Sequence, residues 1–173
     1  APIPPSMAIN WGLQLALALQ AVHHAGMLHR DIKPSNIGFT ADDTPKLLDF
    51  GLAKLIPVDP ALASTLSTHA DSTASVASGA TAIRGTPAYL SPEILAGGEP
   101  SERDDIWSFS LTLLEMCLGK NPLQGATVQA TVMRVLAEHP RVAYYADDLP
   151  GTLPKLFQDL LGPCSSRPAR THE

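Results

Sequence analysis

No stretch of this chain limits its folding more than the run from His29 to Asp49. Pro34 lacks a donor N–H and restricts its predecessor, so a helix is disfavoured there and a loop is expected for His29 to Asn36. Ile37 to Phe39 then reads as a short strand, Ala41-Asp42-Asp43-Thr44-Pro45 as a turn, and Lys46 to Leu48 as the returning strand. Arms of equal length bring the open ends of a hairpin together. Asn36 and Asp49 are therefore expected about 5 Å apart, as cross-strand neighbours are.

The residues at that open end can do chemistry. His29 to Asn36, HRDIKPSN, crowds a carboxylate, two cations and an amide into one octet. Asp31 can accept a proton, Lys33 can neutralise an anionic oxygen, and Asn36 offers a carbonyl oxygen to a hard metal ion, which is what phosphoryl transfer requires. Asp49, in LLDFG, supplies a second oxygen ligand, so the group reads as a magnesium site facing a proton acceptor.

These residues resemble the protein kinases, in their serine/threonine branch. HRDIKPSN is similar to the catalytic loop H-R-D-x-K-x-x-N, and Asp49-Phe50-Gly51 to the metal-binding D-F-G. Five fixed positions in one octet arise by chance at on the order of 1 in 10⁶ per site. GTPAYLSPE at Gly85 to Glu93 resembles the substrate-facing loop and A-P-E segment, and DDIWSFSLTLLEM the buried helix that follows.

The resemblance implies ATP and Mg2+ as cofactors and a protein substrate with a Ser or Thr acceptor. Asp31 orients the hydroxyl and takes its proton, Lys33 stabilises the moving charge, Asn36 and Asp49 hold the metal, and Thr86 bonds to Asp31 and Lys33. It also implies that Arg30 meets a phosphate on the activation loop, with a salt bridge to a carboxylate as the bland alternative. Thr81 lies where an activating phosphate falls, with Ser75 and Ser78 as rivals. His29 is a packing residue, Asp105 anchors the loop backbone from below, and Glu93 pairs with Arg167. Pro87 and Tyr89 to Pro92 shape the pocket beside the acceptor. Two departures stand out: Gly38 where an apolar side chain underlies the adenine, and Ser110 where glycine is usual.

The fold implied is mainly α (α+β): a kinase-like large lobe, a helical bundle with a small β-hairpin carrying the catalytic loop 29–36 and metal-binding loop 49–51, within an activation segment 49–93. Ahead of residue 7 there is no room for a glycine-rich phosphate loop, its strand lysine or the glutamate helix, so the amino lobe is expected to be missing. The chain begins with Ala1 rather than Met, which hints at a fragment.

At 173 residues the chain can bury one core, and 45% hydrophobic content is ordinary for a soluble domain. A net charge of −5 without a basic run argues against nucleic acid or an anionic membrane as the main partner. Cys117 and Cys164 form no C-x-x-C pair, so neither a disulfide framework nor a zinc site is expected. No segment reaches transmembrane length and the first cation is Arg30, so a cytoplasmic setting is expected.

Along the chain, Ser6 reads as an N-cap and Met7 to Ala25 as a helix ended by Gly26, apolar on nearly every side and so buried. His23 and His24 are weighed as packing or surface residues against a small chance of metal ligation. Met27-Leu28 enters the loop as a short strand. Ala61 to Ala82 holds nine serines or threonines among 22 residues, a composition that predicts mobility. Ser101 to Asp104 is a capping-box pattern opening a buried helix that stops at Gly119. Thr127 to His139 and Thr152 to Leu161 read as surface helices, and Pro163 to Glu173 as a frayed end. The function implied is a serine/threonine kinase present as a partial domain, inactive alone. The alternatives are a lobe acting as a non-catalytic binding module and a truncated gene product.

Overall fold

The computed structural model describes residues 2–49, 54–55, 87–137, 149, 151 and 153–161. Five helices and two two-stranded antiparallel ribbons make up the described part, in the order α1 (Pro5–His24), β1 (Met27–Leu28), β2 (Ile37–Phe39), β3 (Pro45–Leu47), β4 (Lys54–Leu55), α2 (Pro92–Leu95), α3 (Glu102–Leu118), α4 (Val128–Ala137) and α5 (Leu153–Leu161). The architecture of the described residues is mainly α with a small β component.

Helix α3 is the axis of the molecule. It opens as its first four residues predict, with the Asp104 carboxylate reaching back to the Ser101 N–H at 2.7 Å and hydroxyl at 2.8 Å. It closes at Gly119, whose φ of 74° is left-handed. That site is doubly closed to a larger residue, because an added Cβ would also stand 3.0 Å from Pro2 Cδ.

Around this axis α3 presents three kinds of surface. Trp107, Leu111 and Leu114 join Leu123, Val135, Leu149, Leu153, Phe157 and Leu161 in a nine-residue apolar cluster. Phe109 joins Leu15, Leu19 and Ile32 in a smaller one, with Ile37, Leu47 and Leu113 packed against it. Between these two sectors lie Asp105, Ser108, Thr112 and Glu115, spaced three and four apart so that they share one face, with Asp104 four before Ser108 at its edge. Ser110 is fully buried, and its hydroxyl is satisfied inside the helix by the Ile106 carbonyl at 2.6 Å.

Several expectations need correction. Ser6 does not cap α1: the helix begins at Pro5, whose missing N–H costs nothing at a first turn, and Pro4 precedes it without a side-chain cap. Nor is α1 buried on nearly every side. Ala8, Leu15, Leu19 and Val22 face the core, while Ile9, Leu13 and Leu17 are 57–62% exposed on the opposite side. Alanine and leucine alternate too evenly along α1 for the sequence to mark an outer face.

The hairpin is shifted by one residue, since its second strand is Pro45–Leu47 with Ile37 opposite Leu47 and Phe39 opposite Pro45. Pro45 can begin a strand because it has no ladder donor to lose at that end. The connecting turn is drawn in by Asp42, which accepts the Thr40 and Thr44 hydroxyls at 2.6 and 3.0 Å. Those bonds hold its carboxyl below the ordinary carboxylate range.

Helix α5 is no free surface helix: it buries Leu153, Phe157 and Leu161 at its four-residue spacing. Helix α4 similarly buries Thr131 and Val135. Strand β4, inside the segment read only as an activation loop, pairs with β1 through Met27 opposite Leu55 and Leu28 opposite Lys54. Among the described residues, no helix is long and apolar enough to cross a membrane. The expected frayed end and the serine-rich run lie outside the described residues.

Candidate active site

The loop from His29 to Asn36 is built on a left-handed residue. Arg30 has φ of 67°. For a side chain with a Cβ that conformation costs roughly 1–2 kcal/mol, so something must hold it. Asp105, 2% exposed in the first turn of α3, supplies the hold. Its Oδ2 accepts the His29 backbone N–H at 2.8 Å and its Oδ1 accepts that of Arg30, also at 2.8 Å. The anchoring expected of Asp105 is present, and a third donor joins it: His23 Nε2 lies 2.9 Å from Oδ2.

Beyond Arg30 the chain is locked further. Ile32 is fully buried, and its carbonyl accepts the Thr112 hydroxyl at 3.4 Å. His29 is fully buried, as a packing residue should be, and its Nδ1 also accepts the Asp31 N–H at 3.4 Å. Lys33 is extended and leads into a single 3-10 turn, Pro34–Asn36, where a plain loop was expected. Pro34 suits the first position of that turn for the reason it suits a helix start.

The turn brings three of the sequence-selected side chains together. Lys33 Nζ donates to both Asp31 oxygens, at 3.0 and 2.7 Å. The Asn36 amide nitrogen donates to the Asp31 carbonyl at 2.8 Å and to Asp31 Oδ2 at 2.9 Å. The Asp31 carboxylate is thus clamped by a cation on one side and an amide on the other, with Asp31 and Lys33 side chains 13% and 22% exposed. With its nitrogen committed, Asn36 has its carbonyl oxygen left to meet a cation.

Asp49 is one position further along than the equal-arm argument assumed. The Asn36 carbonyl accepts the Leu48 N–H at 2.8 Å, so Leu48, not Asp49, stands opposite Asn36. Asp49 follows at a left-handed φ of 59° and is exposed. Among the described residues no three His, Cys, Asp or Glu side chains form a metal cluster. One amide and one carboxylate still suit magnesium, a hard ion that takes few protein oxygens and completes its shell with phosphate oxygens and water.

Gly38 has a neighbour the sequence did not announce. A Cβ added there would stand 2.7 Å from Leu48 Cδ1, so the Leu48 side chain already leans across the place that glycine leaves open. The segment from Tyr89 to Ser91 is tied to α3 as well. Ser108 donates to the Tyr89 carbonyl at 2.7 Å, the Tyr89 hydroxyl donates to Glu115 at 2.6 Å, and Ser91, the N-cap of α2, donates to Asp104. Burial, reinforced by the Glu115 carboxylate, pushes the Tyr89 phenol well above its ordinary value of 10.

Thr81, Thr86, Phe50, Gly51 and Arg167 lie outside the described residues. What the sequence reading missed is the wiring: His23 and Asp105 are 82 positions apart, and Tyr89 and Glu115 are 26 apart. No local pattern joins such pairs. The only available signal was that polar residues recur at helical spacing within an otherwise apolar α3.

Comparison with known proteins adds the remaining facts. The family described as Protein kinase domain matches residues 1–167. The chain is 35% identical over 152 residues to serine/threonine-protein kinase Nek1 of Mus musculus, covering 87% of this chain and 11% of that protein. It is 31% identical over 179 aligned positions to serine/threonine-protein kinase pkn2 of Myxococcus xanthus, covering 99% and 20%. It is 33% identical over 150 to serine/threonine-protein kinase PknL of Mycobacterium tuberculosis, covering 86% and 34%. The chain therefore spans only about a tenth to a third of the length of these curated relatives.

Proposed function

Since the chain belongs to the serine/threonine protein kinase family, we propose that His29 to Asn36 is a phosphoryl-transfer loop and that the protein containing it transfers the ATP γ-phosphate to Ser or Thr hydroxyls of protein substrates. The observation that carries this reading is the Asp31 carboxylate clamped by Lys33 and Asn36. A carboxylate held from both sides presents its oxygens in a fixed direction to an incoming hydroxyl, which is what a positioned proton acceptor needs.

In this reading Asp31 orients the acceptor hydroxyl and takes its proton. Lys33 already lies against Asp31 and turns its charge toward the oxygen that becomes negative as the hydroxyl attacks. Asn36 and Asp49 are the residues that would hold magnesium, which when bound neutralises phosphate charge and aligns the transferred group. Thr86 is proposed to join Asp31 and Lys33, and Arg30 to receive a phosphate at or near Thr81. The described residues correspond to the large carboxy-terminal lobe. Nucleotide would be closed in by an amino lobe belonging to the same protein, so the 173 residues alone transfer no phosphate. A cytoplasmic setting, where ATP is supplied, is part of the proposal.

The test uses the protein that contains this segment. Asp31→Asn should lower phosphate transfer to a serine peptide by about 10²–10⁴-fold, the usual contribution of a positioned acid or base, while leaving thermal unfolding nearly unchanged. Transfer at the unaltered rate would end the proposal.

A further inference from the structure

One buried titratable group has no part in the chemistry proposed above. His23 sits in the last turn of α1, 8% exposed, with its Nε2 2.9 Å from Asp105 Oδ2. The same oxygen accepts the His29 backbone N–H at 2.8 Å. Two donors six residues apart in the chain therefore meet on one atom. The passage between them contains the end of α1, the turn at Gly26 and strand β1, so its closure at Oδ2 fixes the angle at which the chain enters the loop. A carboxylate only accepts, so Nε2 is the ring nitrogen that carries the hydrogen.

We propose that His23 is a positioning residue of the 29–36 loop. Through Asp105 it sets the backbone of His29 and Arg30 and hence the direction in which Asp31 leaves that backbone. Asp105 has two side-chain torsions, and its two loop contacts both come from adjacent residues of one strand of chain. Those contacts alone permit the carboxylate to rock with the loop. The imidazole approaches from a different element, α1, which packs independently on α3 through Leu15 and Leu19. A third donor from a separately anchored helix removes that freedom. Arg30, held at φ of 67°, is the residue with most to lose when the hold slackens. The consequence for transfer rests on the reading of this loop as catalytic; the positioning itself does not.

The experiment is amide hydrogen exchange by NMR on the protein that contains this segment, comparing the His29 and Arg30 amides with that of Gly119, which bonds to the Glu115 carbonyl far along α3. His23→Phe should lower protection of His29 and Arg30 about tenfold relative to Gly119, the size of one net hydrogen bond, and His23→Gln, which restores a donor, should recover most of it. Equal loss at all three amides, no loss at the two loop amides, or no recovery with Gln would each overturn the proposal. Should His23→Phe fail to fold, the ¹⁵N shift of Nε2 in the unaltered chain decides. A protonated-nitrogen shift supports the assignment and a bare-nitrogen shift overturns it. Exchange at these amides is independent of phosphate transfer, so a failure here is distinguishable from a failure of Asp31→Asn.

Discussion

The two flanks of α3 are built from opposite materials. On one side nine buried apolar residues, among them Trp107 and Phe157, close around α4 and α5. On the other the buried apolar cluster among the described residues is four strong, Leu15, Leu19, Ile32 and Phe109 with Leu113 packed against it, and the contact with α1 and the loop is completed by hydrogen bonds through Asp105, His23 and Thr112. Apolar burial has no direction: it holds surfaces together without saying where an atom points. Hydrogen bonds specify direction but add little net stability each. The flank that carries the proposed chemistry is the one given directional contacts, and the flank that carries none is the one given bulk.

The largest effect should come from the apolar flank. Phe157→Ala removes a ring that is 2% exposed at the centre of the nine-residue cluster. It should cost about 3–5 kcal/mol in urea unfolding, with the melting point falling roughly 2–4 °C for each kcal/mol. Amide exchange should rise throughout the chain. A rise confined to α5 would show that the cluster is a local patch rather than the main source of stability.

Asp105→Asn is the matching change on the polar flank. It keeps the volume but sets an amide N–H₂ against donors that now meet an acceptor, at a cost of about 1–3 kcal/mol. Its signature should be concentrated at the His29 and Arg30 amides. If the global loss exceeded that of Phe157→Ala, the division of labour between the flanks would be wrong.

Tyr89→Phe removes the hydroxyl that donates to Glu115 and should cost about 1 kcal/mol. The pH dependence gives a sharper reading. The phenol is held above 10 in the folded chain, so its contribution is fully present below pH 10. Above that pH the unfolded chain releases the proton first, and stability falls as pH rises. Denaturation curves between pH 9 and 11 should show this extra fall in the unaltered chain and lack it in Tyr89→Phe.

The smallest effect is expected at Gly38→Ala. The nearest atoms to the new methyl all belong to the Leu48 side chain, which is 47% exposed and able to turn aside, so stability should stay within about 0.5 kcal/mol. A larger loss in thermal unfolding would mean that Leu48 is fixed where it lies.

How much of this was legible in the sequence depends on distance along the chain. The opening and closing of α3 were readable because Ser101 and Asp104 are three residues apart and Gly119 sits at the helix end. The meeting of Asp31, Lys33 and Asn36 was readable for the same reason. The hairpin was recognised but slipped by one residue, because a proline was assigned to the turn when it could begin the strand. The outer face of α1 was not readable, since Ile9 and Leu15 are equally apolar and only the packed neighbours separate them. The pairing of β1 with β4 and of His23 with Asp105 joins positions that no local spacing relates.

From Asp105 through Ser108 and Thr112 to Glu115 is ten steps along α3, about 15 Å at the helical rise. From that one rod hang both the His29–Ile32 backbone and the Tyr89 segment. Inserting or deleting a single residue between 105 and 115 would turn one end of the rod by about 100° relative to the other and unhook at least one of the two. Length can drift in the connecting loops of such a molecule, but within this helix it is a fixed unit of measure.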